Sequence, residues 1–386
     1  MPFAPRTLTT SLKRQAEYYP VLALTGPRQS GKTTLLRNVF PDYAYVSLEN
    51  PDRRLFANED PVGFLNQYPE RVIFDEVQQA PLLFSYLQGR VDERRLMGQY
   101  ILSGSQNFHL LQHITQSLAG RVALFRLLPF DFSEMEVAQA LPESWVEAAF
   151  SGFYPAILDR GGDPAFFYHN YIQTYVERDV SQLKKVKDLR VFRNFLSLCA
   201  ARAGQLLNFS NLANESGVSL YTVKEWLSIL ESSYIIFQLP PYFQNFNKRI
   251  IKTPKIYFYD TGLLAFLLGI RDTSADADRE ILGGLFENMM VAELQKQNHH
   301  RLLLRELFFW RDSNGNECDV LTPVGQQLDV FEIKSGLTVY PKHFRGMDFF
   351  DSISAGKVRH KTLIYGGLEN QNRTAHLVRN WKSGSL

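Results

Sequence analysis

Short apolar runs recur through the first third of the chain and predict a parallel β-sheet. Glycine, proline or polar residues bound each run, and the stretches between runs favour helices. Strands are predicted over residues 21–24, 43–48, 71–76, 99–103 and 121–127. Because helices would separate these parallel strands, both faces of the sheet should be covered.

Apolar residues at helical spacing dominate the middle of the chain. The change follows turn signals at Gly152 and Gly161, and helices are predicted over residues 166–183 and 192–202. A new structural unit is therefore expected to begin near residue 151.

Residues 207–230 have the pattern of a helix-turn-helix, with a turn at Gly217 and a second helix capped by Ser219. A strand predicted over residues 233–239 favours a winged helix. The apolar face of the second helix should enter the core through Val223, Trp226, Leu227 and Leu230. Its other face presents Tyr221, Thr222 and Lys224 for contact with phosphates or bases.

Toward the C-terminus the predicted order becomes helix, three strands, helix and strand. These elements fall at residues 285–294, 307–311, 317–321, 328–334, 343–351 and 361–365. His299 and His300 follow the first of these helices. Because adjacent residues diverge by about 100 degrees around a helix, both histidines are predicted to be solvated and not to bind metal.

Composition and charge narrow the class of protein. The chain has 386 residues, 45% of them hydrophobic and 21% charged, which is typical of a soluble protein with two or three domains. Its net charge of +2 gives no overall attraction to nucleic acid, so DNA contact would depend on local basic clusters. Such clusters occur at Lys184, Lys185, Lys187, Lys248, Arg249, Lys252 and Lys255.

The cysteine content and the lack of long apolar segments indicate the cellular compartment that is expected for the chain. Only Cys199 and Cys318 are present, which excludes a disulfide framework and a thiolate zinc site. No signal peptide or membrane span is predicted from the sequence. The expectation is a cytoplasmic protein with no membrane partner.

A glycine loop lies between the first predicted strand and a helix, the arrangement that binds the phosphates of a nucleotide. The loop consists of Gly26, Pro27, Arg28, Gln29, Ser30, Gly31, Lys32, Thr33 and Thr34. Gly26 and Gly31 allow backbone amides to point inward. Lys32 would bring positive charge to the outer phosphates, and Thr33 would offer its hydroxyl to magnesium.

Two acids, Asp75 and Glu76, end the third predicted strand. Asp75 is expected to bind magnesium through water, and Glu76 to polarise the water that attacks the nucleotide. Ser103 and Ser105 lie at the end of the fourth strand, where a hydroxyl could sense the terminal phosphate, or either serine could simply finish the strand; Ser105 is the candidate. The guanine-reading sequence Asn-Lys-x-Asp fails at Ile250, which favours ATP.

Five segments together resemble a widespread bacterial and archaeal family of AAA-type ATPases, across nearly the whole chain. They are residues 26–33, 72–78, 103–105, 117–121 and 128–134. The resemblance implies that Arg121 is catalytic and reaches the outer phosphate of a neighbouring subunit, in a homo-oligomer with nucleotide at its subunit interfaces. The alternative for Arg121 is a structural ion pair with an acid.

Four charged residues of the C-terminal unit form a candidate metal site. Glu332 and Lys334 lie two residues apart on one strand face, and Asp319 lies on the preceding strand. Asp319 and Glu332 could hold magnesium, with Glu287 completing the shell, while Lys334 could activate water. This set resembles the restriction-endonuclease-like (PD-(D/E)xK) superfamily, which implies catalytic roles for Glu332 and Lys334.

The expected fold is α/β, with an AAA-type P-loop parallel sheet at residues 1–150. A helical and winged-helix domain follows at 151–255, and an α/β restriction-endonuclease-like domain at 256–386. The predicted function is ATP hydrolysis coupled to DNA, with magnesium-dependent cutting. Two other functions stay open: an ATP-gated adaptor with a silent nuclease-like domain, and a P-loop kinase acting on a small molecule.

Overall fold

The computed structural model describes residues 4–105, 114, 116–176, 188–243, 253–270 and 279–386. Two of the predicted basic clusters, residues 184–187 and 248–252, lie outside this part of the chain. Within it, no helix combines the length and the apolar character needed to cross a membrane.

A five-stranded parallel sheet forms the centre of the N-terminal unit. Its strands are β1 (Val21–Thr25), β2 (Ala44–Ser47), β3 (Val72–Asp75), β4 (Tyr100–Gly104) and β5 (Val122–Arg126). Their spatial order is β2-β3-β4-β1-β5, and every neighbouring pair is parallel. The predicted parallel sheet is confirmed. This order brings the carboxyl ends of β1, β3 and β4 side by side.

Helices cover both faces of this sheet. They are α1 (Leu8–Gln15), α2 (Lys32–Val39), α3 (Pro51–Glu59), α4 (Pro61–Gln67) and α5 (Leu83–Arg94). Because side chains alternate along a strand, Val21 and Ala23 join one core while Leu22 and Leu24 join another. The first core includes residues of α4 and α5, and the second includes residues of α1 and α2.

The middle unit is mostly helical. Helix α6 (Phe132–Val137) follows β5 and ends the N-terminal unit. The described helices of the middle unit are α7 (Trp145–Ser151), α8 (Pro155–Arg160), α9 (Pro164–Tyr171), α10 (Leu189–Ala200), α11 (Phe209–Ser216), α12 (Leu220–Ser232) and α13 (Thr261–Leu267). A π-helical turn, Ile172–Val176, continues α9. Asp260 caps α13 by accepting a hydrogen bond from the Leu263 amide at 3.0 Å.

The predicted helix, turn and helix are α11, Gly217 and α12. Gly217 has a φ of 69°, which favours glycine, and Ser219 Oγ accepts from the Thr222 amide at 3.1 Å. Strands β6 (Ile236–Leu239) and β7 (Lys255–Phe258) follow as an antiparallel pair. The four side chains predicted to enter the core are buried: Val223, Trp226, Leu227 and Leu230.

A long helix and a six-stranded sheet form the C-terminal unit. In chain order its elements are α14 (Arg279–His300), β8 (Phe308–Arg311), β9 (Glu317–Val324), β10 (Gln327–Lys334), α15 (Arg345–Ile353), β11 (Val358–Tyr365), β12 (Gln371–Asn372) and β13 (Leu377–Asn380). Strand β10 pairs antiparallel with β9 and parallel with β11. The order helix, three strands, helix, strand is present as predicted, whereas β12 and β13 extend the sheet beyond the prediction.

The prediction that His299 and His300 are solvated is wrong. The last turn of α14 packs against the chain that leaves β5, so His300 is fully buried and His299 is half-buried. His299 Nε2 lies 3.0 Å from an Arg126 guanidinium nitrogen. Burial and the Arg126 charge lower the pKa of His299 to about 3, so its ring is neutral near pH 7.

Candidate functional site

The glycine loop of residues 26–34, here called the P-loop, connects β1 to α2 and requires glycine at two positions. Gly26 has a φ of 153°, and a Cβ there would lie 2.0 Å from the carbonyl oxygen of Leu127. Gly31 has a φ of 88° and precedes the first residue of α2. Lys32 begins that helix, and its ammonium donates to the carbonyls of Gly26 at 2.9 Å and Pro27 at 2.8 Å. The loop therefore curls around the lysine head group.

Asp75 ends β3 and is surrounded by hydroxyl donors. Thr33 Oγ1 donates to Asp75 Oδ2 at 2.7 Å, Tyr45 OH donates to the same oxygen at 2.6 Å, and Ser103 Oγ donates to Oδ1. Burial and the neighbouring carboxylate raise the pKa of Tyr45, so its phenol stays a donor. The predicted pair Thr33 and Asp75 is thus brought into direct contact.

Glu76 occupies a left-handed backbone conformation, with a φ of 53° that is uncommon outside glycine. Such conformations cluster where a side chain must be aimed at a site. Ser105 Oγ donates to Glu76 Oε2 at 3.1 Å, and Gln78 Nε2 donates to the same oxygen. Ser105 therefore reaches the acid expected to polarise water.

The P-loop and both acids open onto one cavity of about 700 Å³. Arg28, Gln29, Thr33 and Thr34 line it on the side of the loop. Its apolar lining comes from Ala4, Phe130, Pro155, Ala156 and Leu158. Roughly 300–1,000 Å³ is usual for small-molecule pockets. The cavity therefore has the size of a small-molecule site and combines polar groups of the loop with apolar side chains.

Arg6 supports the P-loop from behind and was not predicted from the sequence. Its guanidinium donates to the carbonyls of Ser30 at 2.8 Å and Leu128 at 2.7 Å, and its Nε lies 3.0 Å from Glu134 Oε2. It also stacks 4.6 Å from the centre of the Phe130 ring. One buried side chain thereby connects the loop to the segment after β5. Nothing in the local sequence around Arg6 marks it.

The same segment is joined to α14 through Asp131 and His300. His300 Nε2 accepts from the Leu128 amide at 3.1 Å, which leaves Nδ1 to donate to Asp131 Oδ2 at 2.9 Å. Although burial opposes it, the His300 contact holds the pKa of Asp131 below its usual range. Asp131 also caps α6 by accepting from the Glu134 amide.

Asp131, Glu134 and His300 are the one group among the described residues with three ligand atoms close enough to share a metal ion. Each is already engaged: the two histidine nitrogens have partners, and Glu134 pairs with Arg6. We therefore interpret the group as a buried junction between the ATPase domain and α14. The sequence did not indicate it.

Arg121 lies at the start of β5 in an exposed ion pair. Its Nε and one terminal nitrogen contact the two carboxylate oxygens of Asp92 at 2.6 and 2.7 Å. The Asp92 contact raises the pKa of Arg121 further above its usual value. This is the structural arrangement that the sequence left open as the alternative to a catalytic role.

Three of the four predicted C-terminal residues meet at β9 and β10. Lys334 Nζ lies 2.7 Å from Glu332 Oε1 and 3.5 Å from Asp319 Oδ2. Asp319 Oδ2 also accepts from the Ile333 amide at 2.7 Å. Burial and the charge of Asp319 raise the pKa of Glu332 to about 8. The positive charge of Lys334 therefore does not fully offset the burial of Glu332 and its repulsion by Asp319.

Glu287, the fourth residue, faces a different cation. Its Oε1 accepts from Tyr257 OH at 2.7 Å and lies 3.2 Å from Lys255 Nζ. Lys255 is buried and also contacts Glu317 at 2.5 Å. Burial and the Lys255 charge act in opposite directions on Glu287, and its pKa is raised on balance. Lys255 belongs to the middle unit and was predicted only as part of a basic cluster.

Three family descriptions match successive parts of the chain. Residues 18–136 match an AAA domain, residues 142–274 a domain of unknown function (DUF8612), and residues 282–382 another domain of unknown function (DUF4143). With the parallel sheet, the P-loop and the acids of β3, the first match defines a P-loop ATPase of the AAA type, which binds and hydrolyses ATP. The third match leaves the class of the C-terminal unit open.

The chain belongs to a family that includes uncharacterised proteins of Mycobacterium tuberculosis and Mycobacterium bovis. Each is 33% identical over 334 residues, covering 85% of this chain and 73% of the mycobacterial protein. Because the AAA match spans only residues 18–136, this relationship extends well beyond the ATPase domain.

More distant likenesses exist among solved structures. The Walker-type ATPase of Pyrococcus abyssi is 15% identical with a TM-score of 0.40, covering 67% of this chain and 94% of that one. A RuvB variant of Thermotoga maritima is 15% identical with a TM-score of 0.31, covering 60% and 89%. At these scores neither contributes to the assignment of fold or function.

Proposed function

We propose that this ATPase acts on DNA through its C-terminal unit, where Asp319, Glu332 and Lys334 form a magnesium-dependent nuclease site. The observation that carries the proposal is the convergence of these side chains, with Lys334 Nζ within 3.5 Å of both acids. Two carboxylates beside a lysine supply oxygen donors for a hard cation and a group that can orient water.

The electrostatics of the three residues favour a bound cation. Burial and the charge of Asp319 raise the pKa of Glu332 to about 8, so Glu332 ionises less readily than an ordinary glutamate. A divalent cation between the two carboxylates would remove this repulsion and hold both ionised. The element order of α14 to β11 supports a restriction-endonuclease-like core around the site, although the side chains carry the chemical argument.

The middle unit supports contact with DNA. Helices α11 and α12 with strands β6 and β7 have the order of a winged helix, and α12 exposes Tyr221 and Lys224. An exposed lysine on such a helix can neutralise a backbone phosphate, and each contact of this kind is sensitive to salt. Lys255, in contrast, is buried and paired, so it does not belong to the proposed DNA surface.

Magnesium at the ATP site would be held by the Thr33 hydroxyl and, through water, by Asp75, and the Oγ1 and Oδ2 atoms of the two residues lie 2.7 Å apart. Both are oxygen donors of the kind that magnesium prefers, and the bound ion would offset the charge of the outer phosphates. Glu76 would accept a proton from the attacking water while Ser105 fixes its carboxylate.

Arg121 is proposed to serve the ATP site of a second copy of the chain in a homo-oligomer. It would first have to leave Asp92. Because this ion pair is exposed, water and salt weaken it and an exchange of partners costs little. Mixing wild-type chains with Arg121→Ala chains would test this role, since a shared site loses activity in mixed assemblies out of proportion to the variant fraction.

The nuclease proposal is tested by incubating the full chain with single-stranded and duplex DNA, with magnesium and with or without ATP. We expect cutting that Asp319→Asn and Lys334→Ala abolish while ATP turnover is unchanged. Asp348→Asn, which alters an acid of α15 paired with Lys361, is the matched control. Cutting that survives in Asp319→Asn, or no cutting with magnesium or manganese, would disprove the proposal.

An ATP-gated adaptor with a silent nuclease-like unit is the second candidate. The observation that favours it is the pairing of Glu287 with Lys255 and Tyr257, which engages the third carboxylate with a second cation and a phenol. An adaptor would bind DNA or a protein differently with ATP and ADP and would leave DNA intact. Equal affinity for DNA in both nucleotide states, together with cutting, would rule it out.

A further inference from the structure

A second cavity adjoins the C-terminal site and differs from it in charge. It measures about 270 Å³ and is lined by Lys334, Ser335, Gly336, Leu337, Thr338, Tyr340, Lys342 and His343. Of the described residues that line it, none is acidic. Lys334 is shared between the cavity and the acids Asp319 and Glu332. The two sites are therefore contiguous, with acids on one side of Lys334 and hydrogen-bond donors on the other.

The donors of this cavity suit an anion. His343 Nδ1 accepts from the Tyr340 amide at 3.4 Å, which leaves Nε2 as the protonated nitrogen of a neutral ring. Burial, followed by the charges of Lys334 and Lys342, lowers the pKa of His343. The same positive potential that disfavours a proton on His343 favours a negative ligand. Ser335 and Thr338 add hydroxyl groups to the lining.

An aromatic ring lies at the edge of the same cavity. Tyr340 is 52% exposed, and Lys342 Nζ lies 5.7 Å from the centre of its ring. His343 meets the ring edge-on, with ring centres 5.5 Å apart. An exposed ring beside cationic groups is the combination on which proteins stack a base next to its phosphate.

We propose that this cavity binds a backbone phosphate of a nucleic acid strand that neighbours the phosphate to be cut at Asp319 and Glu332, with Tyr340 as the platform for a base. Lys342 and His343 would hold the phosphate, Lys342 by charge and His343 by its neutral N–H. This inference rests on the proposed nuclease function for its ligand. It adds residues that would position the strand. Asp319 and Glu332, which are proposed to hold the metal, do not supply this positioning.

The test measures binding of fluorescein-labelled 20-nucleotide single strands and duplexes to the full chain, in EDTA to prevent cutting and at several salt concentrations. Lys342→Ala should weaken binding several-fold and lower the slope of log affinity against log salt by about one. Tyr340→Ala should weaken single-strand binding by about tenfold and duplex binding less, because stacking needs an unpaired base. Lys13→Ala removes the same charge from an exposed position on α1 and is the matched control.

Several outcomes decide the inference. The inference is overturned if Lys342→Ala has the same affinity for DNA and the same salt slope as Lys13→Ala. It is also overturned if the wild-type chain binds neither single-stranded nor duplex DNA. Binding of inorganic phosphate without any Lys342-dependent binding of DNA would also overturn it. If DNA binding depends on Lys342 and Tyr340 but no metal supports cutting, the nuclease function fails and the phosphate site stands. Unchanged ATP turnover and circular dichroism in both variants would show that the fold is intact.

Discussion

The ATP site and the C-terminal site both combine acids with a lysine, but they satisfy the acids differently. At the ATP site, Asp75 receives neutral hydroxyl donors, including Thr33 and Tyr45, while Lys32 donates to loop carbonyls. At the C-terminal site the acids contact ammonium groups directly. The negative charge of Asp75 is thus available to a cation, whereas a cation at the C-terminal site must compete with Lys334 and Lys255.

This difference in the partners of the acids predicts different consequences when each site is altered. Neutral donors orient a carboxylate without cancelling its charge, so Asp75 is positioned with its charge intact before any ligand arrives. At the C-terminal site lysines form ion pairs with the acids and offset part of their charge, so the acids are held in place before any metal binds. Substituting an acid at the ATP site should therefore lower the rate of hydrolysis. Substituting a lysine that pairs with the C-terminal acids should lower the stability of the fold.

The largest effect is expected from Glu76→Gln at the ATP site. Gln cannot accept a proton from water but keeps a hydrogen-bonding shape, so ATP turnover should fall about 10²- to 10⁴-fold. ATP binding should persist, because the substitution keeps the size of the side chain and leaves the P-loop residues unchanged. Steady-state hydrolysis and binding of a fluorescent ATP analogue measure the two quantities.

Lys32→Ala is the comparison for that variant. It removes the charge expected at the outer phosphates, so it should abolish binding as well as turnover. Near-normal turnover in Glu76→Gln, or tight nucleotide binding by Lys32→Ala, would contradict the assignment of these roles.

The same contrast explains how much of each site the sequence predicted. The loop from Gly26 to Thr34 is continuous, so its strand and helix fix its geometry locally. Asp75 and Ser105 could be added because adjacent parallel strands end at one edge of a sheet. Ser103 was named only as a hydroxyl at the end of its strand, and its contact with Asp75 was not predicted. Tyr45 was not predicted at the site, although it lay within a predicted strand, where alternation and strand order could have indicated it.

The C-terminal site and the junction depend on contacts between distant parts of the chain. Glu332 and Lys334 share a strand face, and this pairing follows from their spacing. Lys255 comes from β7 in the middle unit, and no local pattern indicates that it would contact Glu287. The burial of His300 likewise depends on the docking of α14 against residues 128–134, so its helical position alone gave the wrong environment.

A smaller effect is expected from Lys255→Met, which tests stabilisation by lysine at the C-terminal site. It removes the cation of Glu287 and leaves Glu317 with Arg311 alone, and breaking a buried ion pair costs ~3–5 kcal/mol. Because both acids are 24% exposed, we expect a smaller loss, about 2–3 kcal/mol, in the free energy of unfolding. Urea denaturation followed by circular dichroism measures it.

Lys361→Met is the matched control for that change. Lys361 also contacts two carboxylates, Asp348 and Asp351, but these are 48% and 35% exposed. Surface pairs of this kind contribute about 0–1 kcal/mol. Equal losses in the two variants would show that Lys255 has no special role. If the site takes a metal, magnesium should raise the thermal midpoint of Lys255→Met more than that of the wild type, because the ion can replace the missing charge.

The last prediction concerns the pH dependence of stability and Glu293, on the helix α14 that connects the two sites. Its carboxylate accepts from the Phe132 amide at 3.1 Å and from Gln297 at 2.8 Å. Burial and the Asp131 charge raise the pKa of Glu293 to about 8, against the partial opposition of Lys296. Between its usual pKa of about 4.5 and 8, the folded chain keeps a proton that the unfolded chain has lost. The free energy of unfolding should therefore fall as pH rises through this window, by at most about 1.4 kcal/mol per pH unit from this group.

Glu293→Gln should flatten that dependence, because the amide resembles the protonated acid in shape and does not titrate. The measurement is urea unfolding at pH 5, 6, 7 and 8 for the wild type and the variant. Glu136→Gln removes an exposed carboxylate from the nearby helix α6 and controls for the change in net charge. A variant whose stability falls with pH as steeply as that of the wild type would mean that Glu293 is already ionised in the folded chain. The junction would then resemble the C-terminal site, with Lys296 neutralising the acid, and would differ from the ATP site, where neutral donors hold Asp75.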